Sequence, residues 1–142
     1  MKSVITKTID ETFQQATNFV KNDISGGGVV CLQGELGSGK TTFTQGMLGA
    51  LGAEGPYTSP TFVIMKEYDV NDKIIKKVYH IDAYRINEDD MLLLGWDDIV
   101  NDEHALVIVE WPEKIRGILP QDKYMILCEG MNEFEHKYIF KN

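Results

Sequence analysis

Residues 34–41 read Gly-Glu-Leu-Gly-Ser-Gly-Lys-Thr, a complete match to the phosphate-binding pattern G-x-x-x-x-G-K-[ST], the P-loop. Each residue type has a task. The glycines let successive backbone N–H groups turn inward around a phosphate, which makes the stretch Glu35, Leu36, Gly37, Ser38 and Gly39 a cradle of main-chain donors. Lys40 reaches the β- and γ-phosphates, the Thr41 hydroxyl is a ligand for Mg²⁺, and Thr42 continues the donor series into the following helix. The chemistry these types and spacings predict is binding of a nucleoside triphosphate with its Mg²⁺.

Such a loop needs an acid at a strand end to hold the metal directly or through water, and a group to position the attacking atom. Two places qualify. Leu106-Val107-Ile108-Val109-Glu110 is an apolar run that delivers Glu110, and Val78-Tyr79-His80-Ile81-Asp82 delivers Asp82 in the same way. Either acid alone reads equally well as a solvated strand end. Beside an intact phosphate loop both are read as functional, Glu110 ahead on pattern. Ser59-Pro60-Thr61 could bring a hydroxyl toward a γ-phosphate, but on residues alone an ordinary proline turn is the stronger reading. Trp111 reads as core or as partner surface, and His80 as a structural residue ahead of a base. The acids Glu88, Asp89, Asp90, Asp97, Asp98, Asp102 and Glu103 read as a solvated face ahead of a docking surface for a basic partner.

The elements that must position these residues follow from periodicity. Val29–Leu32 is an apolar run with the length of a buried strand. From Thr42 to Leu51, Phe43, Met47, Leu48, Ala50 and Leu51 fall at helical spacing, with a stop at Gly52 or Gly55-Pro56. Strand, glycine loop and helix N-terminus together present aligned N–H groups to an anion. Upstream, residues 3–9 alternate as an edge strand. Asp10 reads as the cap of a helix running to Asn22, with Phe13, Ala16, Phe19 and Val20 on one face. Downstream, Phe62–Val70 and Ile74–Asp82 read as a hairpin turning at Asn71-Asp72-Lys73. Glu88–Leu94 reads as a short helix ending at Gly95, and Pro112–Gly117 as irregular or a single helical turn. Lys123–Cys128 and Phe134–Phe140 read as a last strand pair. The sum is an α/β fold, a mixed sheet flanked by helices with an inserted antiparallel hairpin, in one domain over residues 1–142.

The bulk composition excludes several classes. A net charge of −8 argues against direct, non-specific nucleic-acid binding, which depends on Lys and Arg. The apolar runs are too short to span a bilayer. The N-terminal residues lack a secretory h-region, and Cys31 and Cys128 each sit in an apolar run, so reduced, buried thiols in a cytoplasmic protein are expected.

Taken in order, G-E-L-G-S-G-K-T-T-F, S-P-T-F, Y-H-I-D-A-Y-R, L-G-W-D-D and V-E-W-P-E resemble the TsaE family (also called YjeE) of bacterial ATPases needed for threonylcarbamoyladenosine modification of tRNA, over roughly residues 8–130. The resemblance implies a P-loop ATPase fold, ATP and Mg²⁺, weak intrinsic hydrolysis, and action in a complex with the partner proteins TsaB and TsaD. Carried over by motif, Lys40 holds phosphate, Thr41 ligates Mg²⁺, and Glu110 is the Mg²⁺-associated acid. Asp82 positions water or supports the metal, Ser59-Pro60-Thr61 matches a switch-like loop, and Thr12 matches a threonine near the nucleotide base. Residues beyond about Met131 match little. Three rivals remain. A small-molecule kinase commonly closes an arginine-bearing lid, whereas this chain has only Arg85 and Arg116. A guanine-nucleotide switch generally carries N-K-x-D, which is missing here. A nucleotide-gated adaptor shares every motif.

Overall fold

The computed structural model describes residues 1–58 and 64–141. The Ser59-Pro60-Thr61 segment lies outside the described residues. Seven strands form one mixed sheet in the order β1-β7-β6-β2-β5-β4-β3. Its parallel centre is β6 (Tyr124–Gly130), β2 (Gly28–Gln33), β5 (Ala105–Glu110) and β4 (Lys77–Asp82). On one flank β3 (Met65–Asp69) runs antiparallel to β4. On the other, β7 (His136–Lys141) runs antiparallel to β6 and β1 (Lys2–Thr6) to β7. Every residue of β5 is buried, as expected of a central parallel strand covered on both faces.

Helices cover the two faces unequally. α1 (Ile9–Asn22) and α2 (Lys40–Ala50) pack on one face, where Phe19, Phe43 and Met47 meet Val30, Leu32, Ile108 and Tyr138. The other face is closed by α3 (Glu88–Leu93), α4 (Trp96–Val100) and a 3-10 segment over Pro112–Ile118. There Met91, Trp96, Ile99 and Ile115 pack on Val29, Cys31, Val107 and Val109. Alternate residues of β2 and β5 serve opposite cores, so strand alternation alone assigns each side chain to its layer.

Several boundaries differ from the sequence expectation. The cap of α1 is Thr8, not Asp10. Thr8 Oγ1 accepts from Glu11 N at 3.1 Å, and Glu11 Oε1 accepts from Lys7 N at 2.8 Å. The T-x-x-E spacing of a capping box was there to be read, and Asp10 instead supplies first-turn charge. The hairpin before Asp82 is wider than a tight turn. β4 begins at Lys77, not Ile74, because Asp72 Oδ2 accepts from both Ile74 N and Ile75 N, each at 3.1 Å. That side chain closes a local loop and tucks Ile75 into the core. Gly95 ends α3 but also caps α4 at φ 92°, so a short helix follows where none was expected. β6 extends through Gly130, and β7 starts at His136 rather than Phe134. Asn132 Oδ1 accepts from Phe134 N and Glu135 N and holds the intervening turn.

Candidate functional site

The Gly34–Thr41 loop leaves the C-terminal end of β2 and feeds α2. Its glycines answer to geometry. A Cβ on Gly34 would lie 2.3 Å from the Cys128 carbonyl oxygen, so only glycine allows the loop this close to β6. Gly39 stands at φ 95°, and a Cβ there would also lie 2.4 Å from the Tyr138 hydroxyl. α2 starts without a side-chain cap and without an acid in its first turn. Its first N–H groups therefore face the cleft with the positive end of the helix dipole unopposed, the arrangement that receives a phosphate.

Lys40 is nearly buried and folds onto its own loop. Its Nζ donates to Gly34 O at 2.6 Å and Glu35 O at 2.8 Å, with Ser38 Oγ at 3.4 Å. The same Nζ lies 4.5 Å from the centroid of the Trp111 ring. Main-chain oxygens and a π-face thus satisfy the ammonium, and both are partners a phosphate can replace.

β4 and β5 bring the two acids side by side, since Asp82 and Glu110 are register partners in a parallel pair. Their surroundings differ. Glu110 is 3% exposed, and its Oε2 lies 2.5 Å from Nε2 of His80, itself 1% exposed. Its Oε1 accepts from the Thr41 hydroxyl at 3.3 Å. His80 Nδ1 has no hydrogen-bond partner among the described residues, so the tautomer that satisfies the pair carries its proton on Nε2 and donates it to Glu110. Asp82 is only half-buried, and its Oδ1 accepts from Tyr84 N at 3.0 Å.

Thr41 and Glu110 fit a magnesium site. Mg²⁺ takes oxygen ligands at 2.0–2.1 Å in an octahedron, whose edge is then about 2.9 Å, and is usually bound through one or two protein oxygens plus phosphate and water. A hydroxyl and a carboxylate oxygen 3.3 Å apart at the mouth of the loop suit adjacent positions, directly or through one water.

These groups open onto a cleft of about 990 Å³. It is lined by the loop residues Leu36 to Thr42, by Asp82 and Glu110, and by Thr12. Glu35 does not line it, and contributes its carbonyl to Lys40. Thr12 is 1% exposed, with its hydroxyl 2.7 Å from that of Thr6. The cleft is also lined by Ile9, Tyr84, Arg85, Trp111, Phe134 and His136, none of which the sequence placed among the site residues. Phe134 and His136 come from the C-terminal hairpin, which carries no motif. Arg85 and Trp111 adjoin motif acids, and that adjacency was the available signal. Trp111 is the one non-glycine described residue with positive φ, at 61°, and Tyr84 packs on it with ring centroids 4.8 Å apart. A left-handed tryptophan costs on the order of 1–3 kcal/mol. Here it aims the indole across the cleft over Lys40.

The model of the family described as threonylcarbamoyl adenosine biosynthesis protein TsaE matches residues 6–138. The chain is 40% identical over 114 residues to the tRNA threonylcarbamoyladenosine biosynthesis protein TsaE of Bacillus subtilis, covering 80% of this chain and 69% of that protein. It is 39% identical over 99 residues to the Haemophilus influenzae protein of the same name, covering 69% of this chain but only 60% of that relative's length. The crystal structure of Bacillus subtilis YdiB superposes with a TM-score of 0.78 at 31% identity, covering 98% of this chain and 83% of that one.

Proposed function

Since the chain belongs to the TsaE family, we propose that it is a Mg²⁺-dependent ATP-binding protein and weak ATPase of the P-loop fold. It forms one domain, works in the cytoplasm, and supports threonylcarbamoyladenosine modification of tRNA by acting on a TsaB–TsaD complex. The observation that carries this reading is the convergence of Lys40, the uncapped start of α2, and the Thr41–Glu110 pair on one cleft.

The roles divide by environment. Lys40, now donating to its own loop carbonyls, would hold phosphate oxygens of a bound nucleotide, and the α2 N–H groups would supply further donors to them. Glu110, fixed by His80 on one oxygen, offers the other toward Thr41. Mg²⁺ bound there would neutralise charge on the β- and γ-phosphates. Asp82, half-buried with Oδ1 held by Tyr84 N, has Oδ2 to orient the attacking water. Ile9 and Phe134 also line the cleft and would suit the apolar faces of a base. Arg85, exposed and lining the same cleft, is the chain's own candidate for stabilising transferred charge.

A second reading has its own support. Lys40 is satisfied inside its loop, so nucleotide binding alone could rearrange the loop and change partner affinity, as in a gated adaptor. The test is ATP hydrolysis by the purified protein, alone and with TsaB and TsaD, with Lys40→Ala as control. Stimulation by the partners that is lost in the variant is expected. Full turnover by Lys40→Ala would overturn the site. Partner binding that follows nucleotide occupancy without hydrolysis would select the adaptor.

A further inference from the structure

The C-terminal hairpin reaches the phosphate loop through one hydroxyl. Tyr138 is fully buried on β7, and its O–H donates to the Gly39 carbonyl at 3.0 Å across a sequence separation of 99 residues. That carbonyl also accepts from Phe43 N at 3.0 Å, the first intrahelical bond of α2. Gly39 is the left-handed residue that turns the loop into the helix, and the Tyr138 oxygen occupies the space a Cβ on it would need.

A carbonyl can only accept, so Tyr138 donates in this bond. Burial raises the Tyr138 pKa, and the phenol keeps the proton this direction needs. One hydroxyl of β7 thus ends on the backbone of the phosphate loop.

We propose that Tyr138 is a positioning residue for phosphate binding. It fixes the Gly39 peptide so that the first N–H groups of α2 are preset toward the cleft. The proposal rests on the nucleotide-site reading for its function, and on the Tyr138–Gly39 bond for its structure.

Tyr138→Phe removes the oxygen and keeps the ring, whose contact with Phe43 at 4.9 Å between centroids is retained. Two measurements test it. In the ligand-free protein, hydrogen exchange at the Phe43 amide, which donates to the Gly39 carbonyl, should accelerate several-fold in Tyr138→Phe while the β5 amides keep their rates. ADP affinity by calorimetry should then fall about five- to tenfold, the size of one neutral hydrogen bond. Unchanged loop exchange in Tyr138→Phe would overturn the proposal whether or not the protein binds ADP. Faster exchange with unchanged ADP affinity would overturn the functional half. Failure of the wild type to bind ADP would instead sink the nucleotide reading, with the exchange result still deciding the structural half.

Discussion

Glu110 shows how one side chain can be given two duties by its two oxygens. His80 engages Oε2 while its Nδ1 has no other hydrogen-bond partner among the described residues, and Thr41 faces Oε1. Glu110→Gln keeps an oxygen for His80 but removes the charge. Mg²⁺-dependent hydrolysis should fall by at least tenfold, while affinity for nucleotide without Mg²⁺ changes about threefold or less, since in the proposed function Lys40 and α2 hold the phosphates. Equal losses in both would make Glu110 structural. His80 is predicted to act through Glu110. Gln places its amide nitrogen near the position of Nε2, so His80→Gln should retain most Mg²⁺ dependence, whereas His80→Phe should lose it along with roughly 1–3 kcal/mol of stability from an unpaired buried carboxylate. A Mg²⁺ titration of hydrolysis beside a urea unfolding curve separates the two. Identical Mg²⁺ curves for both variants would show that the donor is irrelevant.

At the scale of elements, the hairpin β3–β4 delivers Asp82, and Asp72 shapes its connection. Two backbone N–H bonds, from Ile75 and then Ile74, hold the Asp72 carboxyl below its ordinary pKa. A group with a depressed folded pKa contributes stability that is complete above its unfolded pKa, about 3.9. That contribution is lost as pH falls through the folded value. Wild type should therefore lose stability below about pH 4 more steeply than Asp72→Ala. Urea midpoints at pH 3 and pH 6 check this, and parallel loss in both proteins would remove Asp72 from the account. The two short helices α3 and α4 are organised by local chemistry in the same way. Asn87 and Asp90 form a reciprocal capping box, and Gly95 supplies the left-handed joint between the helices.

Over the whole molecule, the sheet separates an inert interior from a reactive edge. Cys31 and Cys128 are buried on opposite faces, and burial pushes both thiols up to about 12. Neither should react with Ellman's reagent at pH 8 until the protein unfolds, when both should react together. Fast reaction of either thiol in the native protein would mean that its face opens. The chemistry-bearing groups instead gather where β2, β4 and β5 end, the edge at which open α/β sheets bind ligands. Among the described residues no helix is long and apolar enough to cross a membrane. Of the acids at Glu88 to Glu103, all but Glu88 are exposed, which a solvated face and a docking surface for a basic partner both require.

The amino-acid sequence determined the phosphate loop, the two acid-bearing strands and the inserted hairpin. Each is encoded within a dozen residues, as glycine spacing, an apolar run or a turn cluster, and such signals act locally. It also carried enough ordered motif to point to the TsaE family before any geometry was available. Tertiary structure alone decided that Glu110 pairs with His80, that Trp111 turns left-handed over Lys40, and that Tyr138 braces Gly39. These partners lie 30, 71 and 99 residues apart. They meet because parallel pairing aligns β4 with β5 and because the C-terminal hairpin joins the sheet beside β2. Contacts of that kind leave no periodicity in the chain. They follow from which strands become neighbours, a property of the packed sheet as a whole.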